Sequence, residues 1–511
     1  MGAQLVLGDE AREYDEVRLA AARAASGFAA LGLGADSAIA VMLRNDFAFF
    51  EVSLAAALIG AYAVQVNWHF RGEEAAFILR DSGARALVVH ADLLQDIAGA
   101  IPPGVEVLVV PVPGTIRTAY GIDAPRAAVP AGRQAWSDWL AQFPAWTAPP
   151  PAWRGAMVYT SGTTGRPKGV RREPSGPESQ AVFERVVATA MGLAPGTTIR
   201  SVATGPLYHQ ATNTYAQYAA RLGELLVLAP RFDAAQLLAW IERYRITHLH
   251  MVPTMFVRLL KLPEALRKRH DLSSLRFVVH AAAPCPPEVK RRMIEWWGPV
   301  INEYYGGTET GCVVFHTSAE ALRKPGTVGR ALPGAEVRVL DPEGRALGPG
   351  EVGEIYLRTH GFPDFTYHGL PEARAAVERD GLVSCGDLGY LDEDGYLFLC
   401  DRARDMVISG GVNIYPAEVE AALITLPGVK DCAVFGIPDE EFGETLCACI
   451  EREAGADIDA ERVGAWLRER IAAYKVPRRI EFHAALPRED TGKIFKRKLR
   501  DPFWSQAGRR I

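Results

Sequence analysis

Apolar residues recur at helical spacing across residues 14–31, where Val17, Ala20, Ala24, Phe28 and Leu31 share one face and Gly32 to Gly34 end the run. This pattern predicts a helix, then a buried strand over Ala38 to Leu43, then an apolar helix from Phe47. The rhythm returns at 75–89, where FILRDSG leads into ALVVH, and at 234–252, where a helix precedes THLHMV. It returns again at 275–305 as RFVVHA, a helix and VINEYYG. Repeated helix–strand alternation predicts parallel sheets covered by helices. Residues 102–153 are rich in Pro, Gly and Ala, with Trp136, Trp139 and Trp146, and read as an irregular surface connection. From about 335 the pattern changes to short strands between turns (AEVRVLD, GEIYLR, GYLFLCD). From 402 the segments AEVEAALITL, DCAVFGI, ERVGAWLRERI and RRIEFH have helix and strand content of their own.

Length turns these segments into domains, because 511 residues exceed what one ordinary core organises. The expected layout is a large N-terminal domain over 1–401, with a β-rich part at about 335–401, and a small mobile α+β domain over 402–511. A net charge of −5 gives no basic face for nucleic acid, and the run FKRKLR near the C-terminus reads as a solvated patch. Val52 to Val66 is short for a bilayer span and broken by Ser53, Gly60 and Gln65, so it predicts a buried helix running into a strand. The early acidic residues Asp9, Glu10 and Glu13 oppose a signal peptide, and Val6 breaks a myristoylation motif. The seven cysteines are scattered without a CxxC pair, as for reduced cytoplasmic thiols. Cys447 and Cys449 would share one strand face.

The strongest chemical segment is Tyr159 to Val170, YTSGTTGRPKGV. An apolar strand delivers the chain into five consecutive hydroxyl or glycine residues, Thr160, Ser161, Gly162, Thr163 and Thr164, followed by Gly165. Small residues let backbone N–H groups approach a polyphosphate, hydroxyls add donors, and Lys168 offers a charge to the outer phosphate oxygens. The order is not that of a Walker loop, and Arg171-Arg172-Glu173-Pro174 opposes a helix after Lys168.

With this segment the chain resembles the adenylate-forming superfamily of acyl-CoA synthetases, adenylation domains and luciferases. Further motifs follow in the family's order. Tyr305-Gly306-Gly307-Thr308-Glu309 resembles its YGxTE segment, and Ser384-Cys385-Gly386-Asp387 its TGD segment, with Ser and Cys before Gly in place of the usual pair. Asp401-Arg402 and Ser409-Gly410-Gly411 resemble the hinge region, and PREDTGK over Pro487 to Lys493 the C-terminal lysine motif.

The resemblance implies a role for each match. Glu309 and Thr160 form the magnesium site, whose oxygen ligands suit that ion. Asp387 accepts bonds from the ribose hydroxyls, a task for which a carboxylate has two oxygens, and Arg402 completes the grip. Ala281 to Pro284, including Ala282 and Ala283, flank adenine, and Tyr304 or Tyr305 stacks on or borders the base. Lys493 bridges carboxylate and α-phosphate, stabilising charge as the mixed anhydride forms. The small domain then rotates about the position of Arg404, and Gly410 and Gly411 approach the pantetheine arm. His209, in GPLYHQ, faces the acyl pocket. His248, His250 and His280 lie on predicted strands without metal spacing and read as core or pocket wall.

The implied protein is an ATP- and Mg2+-dependent, cytoplasmic ligase joining a fatty or aromatic carboxylic acid to coenzyme A, with homodimerisation left open. An amino-acid adenylation enzyme would need an acidic residue within Pro206–Ala216, which has none. A luciferase-like oxygenase shares the motifs. A catalytically dead scaffold would be expected to lose Lys493, Glu309 or Asp387, and all are present.

Overall fold

Short apolar β-branched runs followed by amphipathic helices build two long sheets in this computed structural model, which describes residues 2–160, 167–402, 405–409, 412–488 and 494–506. One eight-stranded sheet has parallel Ala38–Met42 at its centre, flanked by Tyr62–Gln65 and Met157–Thr160 on one side and by Ala84–His90 and Glu106–Val110 on the other. The 14-stranded sheet has a parallel centre of Leu225–Leu228, Arg200–Ala203, His248–Met251, Phe277–His280 and Ile301–Gly307. It then continues antiparallel through Gly311–His316, Thr327–Ala331, Leu397–Arg402, Leu382–Leu391, Gly353–Thr359 and Ala335–Leu340. The strands expected after residue 335 thus extend one of the two long sheets and bring Asp387 and Arg402 to its site. A third, five-stranded sheet with helices Pro416–Leu423 and Ala460–Arg468 forms the small C-terminal domain.

Helix Tyr14–Ala30 packs on Phe47–Ile59 through small residues, Ala21, Ala24 and Ala25 among them, which allow close approach while Phe28 fills the seam. Burying such a ring is worth roughly 1.5–3 kcal/mol. Phe47–Ile59 starts where Asp46 accepts from the backbone N–H of Ala48 at 3.2 Å, and stops at Gly60 with φ +72°.

Residues 102–153 are not an irregular surface connection. Glu106–Val110 and Gln134–Ala135 extend the eight-stranded sheet, and Trp136 and Trp139 are buried, the Trp139 ring 5.1 Å from that of Phe28. A Cβ at Gly27 would come within 2.5 Å of Trp139, so the Gly and Trp belong to one packed layer. The Pro and Gly content masked a four-residue apolar run, Val107 to Val110, too short for its periodicity to stand out. Strands Gln4–Leu7 and Glu10–Glu13 also went unread, because register with Leu225–Leu228, more than two hundred residues on, makes them strands.

Candidate active site

Strand Met157–Thr160 lies parallel to Tyr62–Gln65 and delivers Thr160 to the sheet's C-terminal edge, where ligands of open α/β sheets gather. The chain returns as strand Lys168–Arg172, with Thr160 and Lys168 in register, so a hairpin replaces the helix of a Walker loop. Ser161, Gly162, Thr163, Thr164 and Gly165 lie outside the described residues. Lys168 holds its ammonium 5.0 Å from the Tyr367 ring.

Glu309 follows strand Ile301–Gly307 in a turn where side chains are excluded. A Cβ at Gly306 would fall 1.8 Å from the carbonyl of Gly311, and one at Gly307 2.5 Å from the Cys385 sulfur. The turn is held from beneath by Arg172, which is buried and donates to the carbonyls of Thr308 at 2.6 Å, Glu309 at 2.5 Å and Pro363 at 3.1 Å. Burial lowers its pKa to about 10, opposed by Glu309 and Asp364, and it stays charged near neutrality. The Glu309 carboxylate accepts at Oε1 from the Tyr367 hydroxyl at 2.9 Å. Burial, then the Glu309 charge, push the Tyr367 hydroxyl well above its ordinary range, so it remains a donor. The Thr160 hydroxyl and the Glu309 carboxylate are hard oxygen donors lining one cleft, a set that fits Mg2+.

The neighbouring antiparallel strands position the two residues expected to grip the ribose. Asp387 and Arg402 are register partners, with Arg402 Nε 3.4 Å from Asp387 Oδ1, and the Tyr305 hydroxyl donates to Asp387 Oδ2 at 2.7 Å. Gly386 adopts φ +77°, and its N–H donates to the Ser384 hydroxyl at 2.9 Å, so the Ser at this position shapes the turn. Because side chains alternate along a strand, Tyr304 points away from Tyr305. Its hydroxyl lies 2.9 Å from His250 Nε2, which puts Tyr304 with His250 on another wall of the cleft, away from Asp387. Ala282 and Ala283 line the cleft, and Ala282 sits at φ +72°, a left-handed conformation that an alanine rarely adopts.

These groups share one cleft of about 2150 Å³, above the roughly 300–1000 Å³ of a pocket for one small ligand. Its lining includes an apolar group, Phe183, Val187, Met191 and Phe362, and His209 lines it as well. The small domain also lines the cleft. Lys261 donates to the carbonyls of Val429 at 2.7 Å and Lys430 at 3.2 Å and pairs with Glu453 at 2.8 Å. Arg488, within the lysine motif, and Ile494, just after it, are paired across a β-bridge and line the cleft, and Arg488 is anchored by Asp431 and by Glu451 at 2.7 Å. Lys493, Arg404, Gly410 and Gly411 lie outside the described residues.

Sequence reasoning missed Tyr367, Arg172 and the Lys261 contact. Tyr367 reaches Glu309 through pairing of Phe365–Tyr367 with Lys168–Arg172, a register invisible in a three-residue strand. Arg172 gave a signal, a charged residue within a β-run entering a sheet, but served only to argue against a helix. Cys447 and Cys449 do share a face, and their sulfurs lie within 4.8 Å of a Glu481 oxygen. Arg479 holds that carboxylate at 2.7 Å, and hydrogen bonding to Cys449 and burial push the Cys447 thiol up, so Cys447 stays protonated in the core.

Residues 3–362 match the AMP-binding enzyme family and residues 418–493 the AMP-binding enzyme C-terminal domain. The chain belongs to the AMP-binding enzyme family. It is 34% identical to a feruloyl-CoA synthase of Amycolatopsis over 500 residues, covering 97% of this chain and 95% of the relative. It is 30% identical to a long-chain-fatty-acid–CoA ligase of Mycobacterium tuberculosis over 499 residues, covering 96% and 93%. The fold matches that of an anthranilate CoA ligase solved in complex with anthranoyl-AMP at a TM-score of 0.84 and 26% identity, covering 99% of this chain and 95% of the other.

Proposed function

We propose that this enzyme, an AMP-forming acid–CoA ligase, activates an acid with a bulky, largely apolar acyl group, aryl or fatty, in the cytoplasm. The observation that carries the reading is one cleft lined by Thr160, Lys168 and Glu309, by the Tyr305–Asp387–Arg402 grip and by apolar side chains including Phe183, Val187, Met191 and Phe362. Asp387 and Arg402 hold the ribose, and Lys168 faces the outer phosphates. Mg2+, bound through Glu309 and Thr160, would neutralise triphosphate charge. The apolar lining of the cleft orients the acid so that its carboxylate oxygen attacks the α-phosphorus and pyrophosphate leaves, with Lys493 stabilising the developing charge. The CoA thiolate then attacks the acyl carbon, forming the thioester and releasing AMP.

Two observations support a small domain that changes position between the steps. Arg488, within the Lys493 motif, and Ile494, just after it, line the cleft, and the contacts between the domains include half-exposed polar groups around Lys261. The boundary at 401/402 and a pivot at Arg404 belong to this proposal. Among the described residues no helix is long and apolar enough to cross a membrane. Pyrophosphate release across a panel of aryl and fatty acids, with and without CoA, tests the reading. It requires acid-dependent release, and thioester only when CoA is added. Release independent of any acid would refute it.

A further inference from the structure

Strand Tyr62–Gln65 is hydrogen-bonded between Ala38–Met42 and Met157–Thr160, and Gln65 stands in register with Val158. Paired residues leave the same face of a sheet, so the Gln65 side chain shares a face with Val158 and, two positions on, with Thr160. Gln65 is 3% exposed and lines the cleft, yet among the described residues neither its amide nitrogen nor its carbonyl oxygen has a hydrogen-bond partner. A primary amide carries two donors and an acceptor, and burying them unmet is costly where an apolar residue of similar size would not be. Its register partners on that face, Val41 and Val158, are buried and apolar and offer the amide no partner. A ligand group that meets the amide explains it.

Position selects the ligand. The ribose grip belongs to the other long sheet. Asn45, just beyond Ala38–Met42, donates to the carbonyls of Gly205 at 3.0 Å and Ala229 at 2.9 Å and accepts from the N–H of Leu207 at 3.0 Å. These bonds pin the loop carrying His209 against the edge where Gln65 ends. A second polar element, the His250–Tyr304 pair, lines the same cleft.

We infer that Gln65 is a specificity-determining residue whose amide hydrogen-bonds a polar substituent of the acyl substrate, so that hydroxylated acids are selected over plain hydrocarbon acids. The inference rests on the acid–CoA ligase reading and names a substrate class within it. The amides of the pantetheine arm offer the same hydrogen-bonding chemistry, and the test separates the two sources.

The experiment is ATP–pyrophosphate exchange without CoA, using cinnamic acid, its ortho-, meta- and para-hydroxy derivatives and octanoic acid, on the wild type and Gln65→Leu. The wild type should favour at least one hydroxy acid over cinnamic acid by roughly ten- to a hundredfold in kcat/KM. Q65L should lose most of that preference while retaining exchange with cinnamic acid. It should also unfold at a higher temperature than the wild type, because an unmet buried amide has gone, whereas loss of a structural residue would lower the midpoint. Equal losses on hydroxylated and plain acids, a change confined to KM for CoA in the full reaction, a lowered melting temperature, or a wild type that prefers hydrocarbon acids would each overturn the inference. Exchange with none of these acids, nor with any of the wider panel, would instead overturn the ligase reading and this inference with it.

Discussion

The hydroxyl of Tyr367 donates to Oε1 of Glu309 at 2.9 Å while its ring faces the ammonium of Lys168 at 5.0 Å. One side chain thus links the carboxylate proposed for the metal to the cation proposed for the outer phosphates. Tyr367→Phe keeps the ring and removes the hydrogen bond. A hydrogen bond to a charged group contributes about 1.5–3 kcal/mol, so adenylation should need roughly tenfold more Mg2+ for half-maximal rate, with folding unchanged. Glu309→Gln should be more severe, because the charge itself is lost. Magnesium titrations of adenylate formation check both, and an unchanged requirement in E309Q would remove Glu309 from the metal site.

Lys261 holds the small domain through two carbonyls and a half-exposed ion pair with Glu453. Contacts of this kind bias a domain equilibrium by about 1 kcal/mol. Lys261→Ala should slow adenylation roughly fivefold and leave thioester formation from a supplied acyl-adenylate unchanged or faster. Separate assays of the half-reactions read the difference.

Lys493→Ala should slow adenylation by about 10²–10³, the usual cost of losing one preorganised charge-stabilising donor. Thioester formation from synthetic acyl-adenylate and CoA should be nearly normal. Equal impairment of both routes would make Lys493 a structural or CoA contact and remove the main support for domain rotation.

Burial lowers the pKa of His248 and His250 to about 4 and of His280 to about 3, against about 6.5 in an unfolded chain. The folded protein therefore binds fewer protons than the unfolded chain below about pH 6.5, and the stability present above that value is lost as pH falls towards 4. Denaturation near pH 5 should take up close to three protons at these sites. Burial raises the carboxyls of Glu51, Asp401 and Glu420, which act with the opposite sign. The histidine contribution is thus read from His280→Leu, whose stability should depend on pH by about one proton less than that of the wild type.

The helix–strand rhythm is readable because the parallel strands are short, largely apolar runs set between helices, as at Ala38–Met42 and Phe277–His280. The polar groups of the site were readable where they stand in contiguous motifs, as in Tyr305 to Glu309. Tyr367 and Gln65 were not, because each is functional only through register with a strand distant in sequence. Tyr304 illustrates the same limit. The motif alone leaves Tyr304 and Tyr305 as alternatives beside the base, and only strand alternation separates them, placing Tyr304 with His250 on another wall of the cleft.

The most direct measurement follows one oxygen. An acid labelled with heavy oxygen in both carboxylate positions is turned over with ATP and CoA, and the products are analysed by mass spectrometry. Attack of the carboxylate on the α-phosphorus, followed by thiol attack at the acyl carbon, leaves one heavy oxygen on AMP and one in the thioester. Label in inorganic phosphate or pyrophosphate, or none in AMP, would contradict an acyl-adenylate.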